Sequence, residues 1–166
     1  MHKSVSYDLR SHQPSDVNWI VQAHSKVRSE EFGFNKEFES MVEGIVAEFV
    51  RNYDPKRERC WIAEMEGKPV GCVFLVKKSG TLAKLRLLLV EPKARGLGIG
   101  SRLVEECVAF ARKIGYRKIT LGTNDVALTA RRLCEKAGFR LVDSKPHHAF
   151  GRDMVDETWH PELQDA

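Results

Sequence analysis

Arg95, Gly96, Gly98, Gly100 and Ser101 stand close together in the run Glu91-Pro92-Lys93-Ala94-Arg95-Gly96-Leu97-Gly98-Ile99-Gly100-Ser101, directly after the apolar stretch Leu87 to Val90. An apolar strand that turns through glycines into a helix is an arrangement that binds phosphate. Glycines at alternate positions let backbone N–H groups approach an anion, the first helical turn adds unpaired N–H donors and the positive end of its dipole, and Arg95 adds a charge. Spacing decides between the ligands that share this arrangement. The nucleotide-hydrolase loop requires a lysine after its last glycine, and none follows Gly100. The dinucleotide fingerprint requires a glycine where Ser101 stands and an acidic residue roughly 20 positions on, where this chain has Thr120, Leu121 and Gly122.

What fits is Arg95-x-x-Gly98-x-Gly100 after a strand ending Val90-Glu91-Pro92, and in this the chain resembles the GNAT superfamily of acyl-CoA-dependent N-acetyltransferases. The resemblance continues through the helix Leu103 to Ile114, the strand Lys118 to Thr123, and Ala130-Arg131-Arg132-Leu133-Cys134-Glu135-Lys136-Ala137-Gly138-Phe139. It is close over about half the chain and lies only in the order of elements over the amino-terminal half. More narrowly, Lys84 to Pro92, Thr123-Asn124-Asp125 and Pro146-His147-His148 are similar to the acetyltransferase half of bacterial two-part proteins that also carry a MarR-type winged-helix repressor.

The resemblance implies transfer of an acetyl group from acetyl-CoA directly to a primary amine on a small molecule or peptide, without a metal. It implies that the strand entering the loop bulges, so that the backbone of Leu88, Leu89 and Val90 binds the pantetheine arm and polarises the thioester carbonyl, and that Arg95 to Ser101, including Leu97 and Ile99, hold the pyrophosphate, with Asn124 also on the cofactor side. At two positions the chain departs from the family pattern: Cys134 stands where the family has a tyrosine that protonates the leaving thiolate, and Ala127 where it has an asparagine. Cys134 is therefore either an unusual general acid or an apolar filler, the commoner role of a buried cysteine. For the base that takes the ammonium proton, Asp125 is the first choice and Glu91 the second, with Glu64, His147 and His148 also at strand ends. The acceptor wall is expected among Trp19, His24, Phe32, Phe34 and Trp159, whereas Glu30-Glu31 reads as solvated charge. The missing tyrosine keeps a second reading open, a CoA-binding regulatory or sensory module with weak transfer or none.

The elements that must position these residues follow from periodicity. Val5, Tyr7 and Leu9 alternate as a first strand. Pro14-Ser15-Asp16 opens a helix with Val17, Ile20, Val21, His24 and Val27 on one face. A second helix, capped by Asn35, carries Phe38, Met41, Val42, Ile45, Val46, Phe49 and Val50 at helical spacing. The period then falls to two over Cys60 to Met65, Val70 to Val76 and Leu82 to Val90, an antiparallel meander whose last strand enters the glycine loop. Helices over about Gly100 to Ile114 and Ala127 to Ala137 alternate with strands at Lys118 to Thr123, Phe139 to Asp143 and Ala149 to Val155. The reading is an α/β (α+β) fold: a mixed, centrally splayed sheet flanked by about four helices in the order β-α-α-β-β-β-α-β-α-β-β, the order of the resembled family, in a single domain over 1–166.

Composition agrees with an enzyme domain in water. The 166 residues are 42% hydrophobic and 30% charged, which are globular values. No apolar run reaches the length of a membrane span, and Met1-His2-Lys3-Ser4 lacks an apolar export core, so a cytoplasmic protein is expected. The net charge of +4 is spread along the chain and not gathered into a stripe, which argues against nucleic acid as a partner. Cys60, Cys72, Cys107 and Cys134 lack both Cys-x-x-Cys pairing and metal-ligand spacing, and read as reduced thiols. The amine acceptor is not specified by the sequence, and a homodimer is left open.

Overall fold

The 3.6-residue stripe of Ile20, Val21, His24 and Val27 becomes the buried face of helix α1 (Asp16–Phe32). The stronger stripe of Phe38, Val42, Val46 and Phe49 buries α2 (Lys36–Arg51), whose first turn is capped by the Asn35 side chain accepting from the Glu37 amide at 3.0 Å. The computed structural model describes residues 6–124 and 128–161. In them the chain runs β1 (Asp8–Ser11), α1, α2, β2 (Arg59–Met65), β3 (Lys68–Lys77), β4 (Leu82–Val90), a 3-10 turn (Pro92–Ala94), α3 (Ile99–Ile114), β5 (Lys118–Asn124), α4 (Leu128–Lys136), β6 (Phe139–Ala149) and β7 (Arg152–Pro161).

These strands form one seven-stranded sheet in the order β1-β2-β3-β4-β5-β7-β6, in which β4 and β5 are the parallel pair and every other neighbour is antiparallel. Alternation along β2 and β3 divides their side chains between two cores. Trp61, Ala63, Val73 and Leu75 pack with α3 residues Leu103, Val104 and Cys107. Cys60, Ile62, Cys72 and Phe74 pack with α1 and α2. The element order is the expected one, and the sheet is splayed at its centre. β4 and β5 are in register from Leu82↔Lys118 to Leu85↔Leu121 and then part, β5 continuing against β7 from Leu121 to Asn124.

A bulge in β4 accompanies the parting. Arg86 faces Phe74 and Leu89 faces Cys72, so Leu87 and Leu88 together oppose Val73, and Leu87 takes a φ of 53°. The extra residue reverses the facing of everything after it. Ala83 and Leu85 point to the α3 core, and unbroken alternation would send Leu87 and Leu89 there too; instead Leu88 and Val90 go to that core while Leu87 and Leu89 join the α1–α2 side. Gly71 makes room for this on β3, since a Cβ there would lie 3.0 Å from the Leu89 carbonyl oxygen.

The carboxy-terminal strands differ from expectation. In place of strands over Phe139 to Asp143 and Ala149 to Val155, β6 and β7 form a long hairpin closed by Phe150 and Gly151, both with positive φ (57° and 79°). β6 lies at the sheet edge and is exposed over nearly its whole length, so no apolar alternation announced it. His147 and His148 accordingly sit within β6, close to its end. The first strand runs from Asp8 and leaves out Tyr7, while Val5, like Ala127, lies outside the described residues. All four cysteines are free and buried.

Candidate functional site

The glycine loop leaves β4 at the end that the splay exposes. Gly98 holds a φ of 82° as the residue before α3, a conformation that a branched side chain resists. It offers no side chain to cap the helix, and the first turn of α3 carries no acidic residue. The amides of Gly96, Leu97 and Gly98 enter no backbone hydrogen bond among the described residues. Amides without a backbone partner beside an uncapped helix start can serve as an anion site made of backbone. Gly100 also serves packing, since a Cβ on it would lie 2.8 Å from Leu133 Cδ1, and its absence lets α4 close on α3.

Arg95 departs from its expected part as a free positive charge. Its guanidinium forms a fork with Glu31 at the end of α1, Nη1 donating to Oε2 at 2.8 Å, and its Nε donates to the Val90 carbonyl at 3.2 Å. Hydrogen bonding to Arg95 holds the Glu31 carboxyl below its usual range. Glu31 is thus a structural partner of the loop and not a solvated charge.

The bulge turns backbone carbonyls away from the sheet ladder, and α1 meets them. His24 Nε2 lies 3.1 Å from the Leu87 carbonyl oxygen, which also accepts from Cys72 Sγ at 3.4 Å, and Arg28 Nη2 donates to the Leu88 carbonyl at 3.0 Å. His24 Nδ1 faces the Ile20 carbonyl oxygen at 2.8 Å. A neutral imidazole has one N–H, so both contacts are donor bonds only in the protonated ring. Complete burial, reinforced by Arg28, pushes the His24 pKa down to about 4 and keeps the ring neutral at pH 7.

Two adjoining cavities open where β4 and β5 part. The smaller, about 230 Å³, runs beside Leu88, Val90, Arg95 and Leu133 toward the glycine loop. The larger, about 410 Å³, lies against α1 and α2 and is lined by Lys84, Arg86, Leu87, Gly122 and Glu157 among others. Arg28, Phe32, Leu88 and Ala130 border both. Leu88 therefore stands between a channel leading to the anion site and a chamber open to a second reactant.

The remaining candidates are distributed unevenly about these spaces. Phe32, Phe34, His24 and His147 line the larger cavity, while Trp159 is buried in the α3 core opposite Leu121. Trp19 donates to Glu91 at 3.3 Å, Lys93 pairs with the same carboxylate, and Glu91 borders neither cavity. Glu64 pairs with Arg10 on the amino-terminal edge of the sheet, and His148 pairs with Asp153 on the exposed hairpin. Asn124 ends β5, and Asp125 lies outside the described residues. Cys134 is fully buried, and desolvation pushes its thiol up to about 12. Sequence reading missed Arg28 and Glu157; the latter is a buried carboxylate on β7 whose Oε1 lies 2.9 Å from Arg131 Nε on α4. The spacing His24, Arg28, Glu31, one helical stripe, was a signal for Arg28 that the apolar pattern overshadowed. Among the described residues no group of three or more His, Cys, Asp or Glu is placed to hold a metal ion. No helix among them is long and apolar enough to cross a membrane.

Comparison with known proteins converges on one family. The model of the acetyltransferase (GNAT) family matches residues 22–139. An uncharacterized N-acetyltransferase of Schizosaccharomyces pombe is 32% identical over 135 residues, 80% of each chain. Human N-acetyltransferase 8B is 37% identical over 101 residues, 58% of this chain and 44% of its own. An N-acetylaspartate synthetase of Xenopus tropicalis is 36% identical over 89 residues, 53% of this chain and 33% of its own, so the chain spans less than half the length of these two relatives. In fold, the Salmonella typhimurium protein yncA, solved with its cofactor acetyl-CoA, superposes with a TM-score of 0.77 at 16% identity over 96% of this chain and 95% of that one. A GNAT-family acetyltransferase from Staphylococcus aureus gives 0.78 at 17% identity, covering 96% and 100%.

The His24 geometry predicts a pH dependence of stability. The unfolded ring titrates near its ordinary value of about 6.5 and the folded ring near 4, so between these values the unfolded chain binds the extra proton. Stability from this residue is complete above about pH 6.5 and is lost as pH falls toward 4, by at most about 3 kcal/mol. Urea midpoints measured across that window are expected to rise with pH in the natural protein and to rise distinctly less in His24→Gln.

Proposed function

The chain belongs to the acetyltransferase (GNAT) family, acyl-CoA-dependent N-acetyltransferases, and from that premise we propose that it moves the acetyl group of acetyl-CoA directly to a primary amine. The observation that carries the reading is the combination of parted strands β4 and β5 with an uncapped helix start at the mouth of the gap. Acetyl-CoA supplies an activated acetyl group as a thioester at one end and phosphates at the other. The amides of Gly96, Leu97 and Gly98 and the first turn of α3 suit the pyrophosphate. The freed edge of β4 at Leu88, Leu89 and Val90 suits the amide-bearing arm between, and the smaller cavity gives it a path. A backbone N–H of the bulged segment then polarises the carbonyl where negative charge develops.

The amine enters by the larger cavity. An alkylammonium with a pKa of about 10 must lose a proton before attack, and we assign its acceptance to Asp125, which follows the strand forming the other lip of the gap. Glu91 is set aside because Trp19 and Lys93 hold it outside both cavities. Glu157 faces the larger cavity but is committed to Arg131. For the leaving thiolate, a Cys134 thiol held up to about 12 is too weak an acid to give effective help, and its complete burial makes it a filler between α4 and the sheet. Water or the bare thiolate completes the step.

Calorimetry with CoA tests the binding assignment. Gly98→Val, whose Cβ would meet no neighbour within 4 Å but which must adopt positive φ beside the amides, is expected to lose CoA affinity by about tenfold or more while remaining folded. Unchanged affinity removes the loop from the site. Cys134→Ala is expected to keep its maximal rate within a few-fold and to lose on the order of 1 kcal/mol of stability through a small cavity. A hundredfold loss of rate with intact CoA binding restores the thiol as the acid. Asp125→Asn is expected to lower the plateau rate by about 100-fold at unchanged CoA affinity, and an unaltered pH–rate profile excludes Asp125 as the base. Turnover of any primary amine separates transfer from a purely CoA-binding regulatory role.

A further inference from the structure

The larger cavity is lined by positive charge that no carboxylate among the described residues pairs with. Arg28, Lys84 and Arg86 all line it, and none forms an ion pair with a carboxylate among the described residues. Elsewhere Arg10, Arg95 and Arg131 each have a carboxylate partner. Glu157, the acid that borders the cavity among the described residues, is taken by Arg131, and Glu31, the acid nearest in effect to Arg28, is taken by Arg95. Glu48 influences Arg86 without pairing with it. Arg28 is the most withdrawn of the three. It donates one hydrogen bond to the Leu88 carbonyl and lies 5.4 Å from the Phe32 ring centroid, an arrangement that fixes the guanidinium plane and leaves further N–H donors. Desolvation lowers the pKa of all three cations, the sign of charge kept out of water at a cost that a bound anion offsets.

The cofactor does not supply that anion here. Its phosphates belong at the glycine loop, at the far end of the smaller cavity, whereas Leu88 and Arg28 stand at the junction, where the proposed thioester carries no charge. We infer that the acceptor is an α-amino acid, whose carboxylate is held by Arg28 in a cavity also lined by Lys84 and Arg86, and whose amine is thereby presented to the thioester; this rests on the acetyl-transfer reading above. The anchoring of Arg28 to the bulge makes the α-amino acid the fitting class, because its carboxylate and amine share one carbon. Phe34, Phe38 and Phe150, packed against one another in tilted and edge-to-face pairs at centroid distances of 5.0 to 5.2 Å, wall the remainder. The same field favours the uncharged form of the amine, the form that attacks.

The test follows thiol release from acetyl-CoA with L-aspartate, L-glutamate, L-leucine and L-phenylalanine, each beside its α-carboxamide, and binding of the same compounds to the CoA-loaded protein by calorimetry. At least one free acid is expected to exceed its amide in kcat/KM by about 30-fold or more. Arg28→Gln is expected to raise KM for that acid by about tenfold or more and bring the acid-to-amide ratio toward one, at retained CoA affinity, with Arg28→Lys recovering part of the ratio. If Arg28→Gln does not fold, Arg86→Gln must lower the ratio in the same direction. CoA binding accompanied by amides that match the acids, or by no acid that binds or reacts, overturns the inference and leaves acetyl transfer standing. Failure to bind CoA overturns acetyl transfer itself.

Discussion

Two parallel strands can share a hydrogen-bonded ladder only while their registers advance together, and in this molecule they stop doing so after Leu85 and Leu121. The bulge at Leu87 and Leu88 is the local cause. One unpaired residue bends β4, reverses its facing and turns carbonyls out of the ladder. Each such carbonyl needs a donor if it is not to be left buried and unpaired. Cys72, Arg28 and Arg95 donate to the Leu87, Leu88 and Val90 carbonyls in turn, and His24 Nε2 also meets that of Leu87. The cavities, the position of α1 and the entry into the glycine loop all follow from that single slip. His24, Arg28 and Glu31 lie at i, i+4 and i+7, so one face of α1 serves as a clamp for the departing strand and, through Glu31, for the loop beyond it.

Much of this was open to inspection in the chain. The alternation of β2 and β3, the helical stripe of α2, the Asn35 cap and the glycine spacing after Val90 are local signals, and the elements formed where those signals stood. What escaped was non-local or unsignalled. The bulge was implied by the family resemblance alone, since the residue pattern of an all-apolar run such as Leu87-Leu88-Leu89-Val90 leaves no mark of it when either facing is hydrophobic. Glu31 and Arg95 are 64 positions apart, and adjacency to Glu30 made the acid look like ordinary surface. The long β6 carries polar residues on both faces, since an edge strand of an antiparallel hairpin is held by its backbone partner β7 more than by burial. Trp159 was counted with the cleft for its aromatic character, but its facing is set by pairing with Leu121, which turns it into the α3 core.

The distribution of charge divides the site by mechanism of recognition. At the loop, the arginine is neutralised by Glu31 and binding falls to oriented amides, which cannot be titrated away and whose direction is fixed by the turn. In the larger cavity the guanidinium and ammonium groups stand without carboxylate partners among the described residues. Backbone dipoles suit a ligand part that every turnover shares, and side-chain charge suits the part by which acceptors differ, because side chains change by single substitutions while a loop's amides do not.

The four buried cysteines carry a chemical consequence of their own. Acetyl transfer sets a CoA thiol free beside the enzyme each time it works, and CoA disulfides attack any protein thiolate within reach. Burial pushes the thiols of Cys60, Cys72 and Cys107 up along with that of Cys134, and none of the four presents a surface to solvent. Sulfur exchange with the product's oxidised form therefore requires opening of the core. The fold insulates its own catalyst from the redox state of the CoA pool.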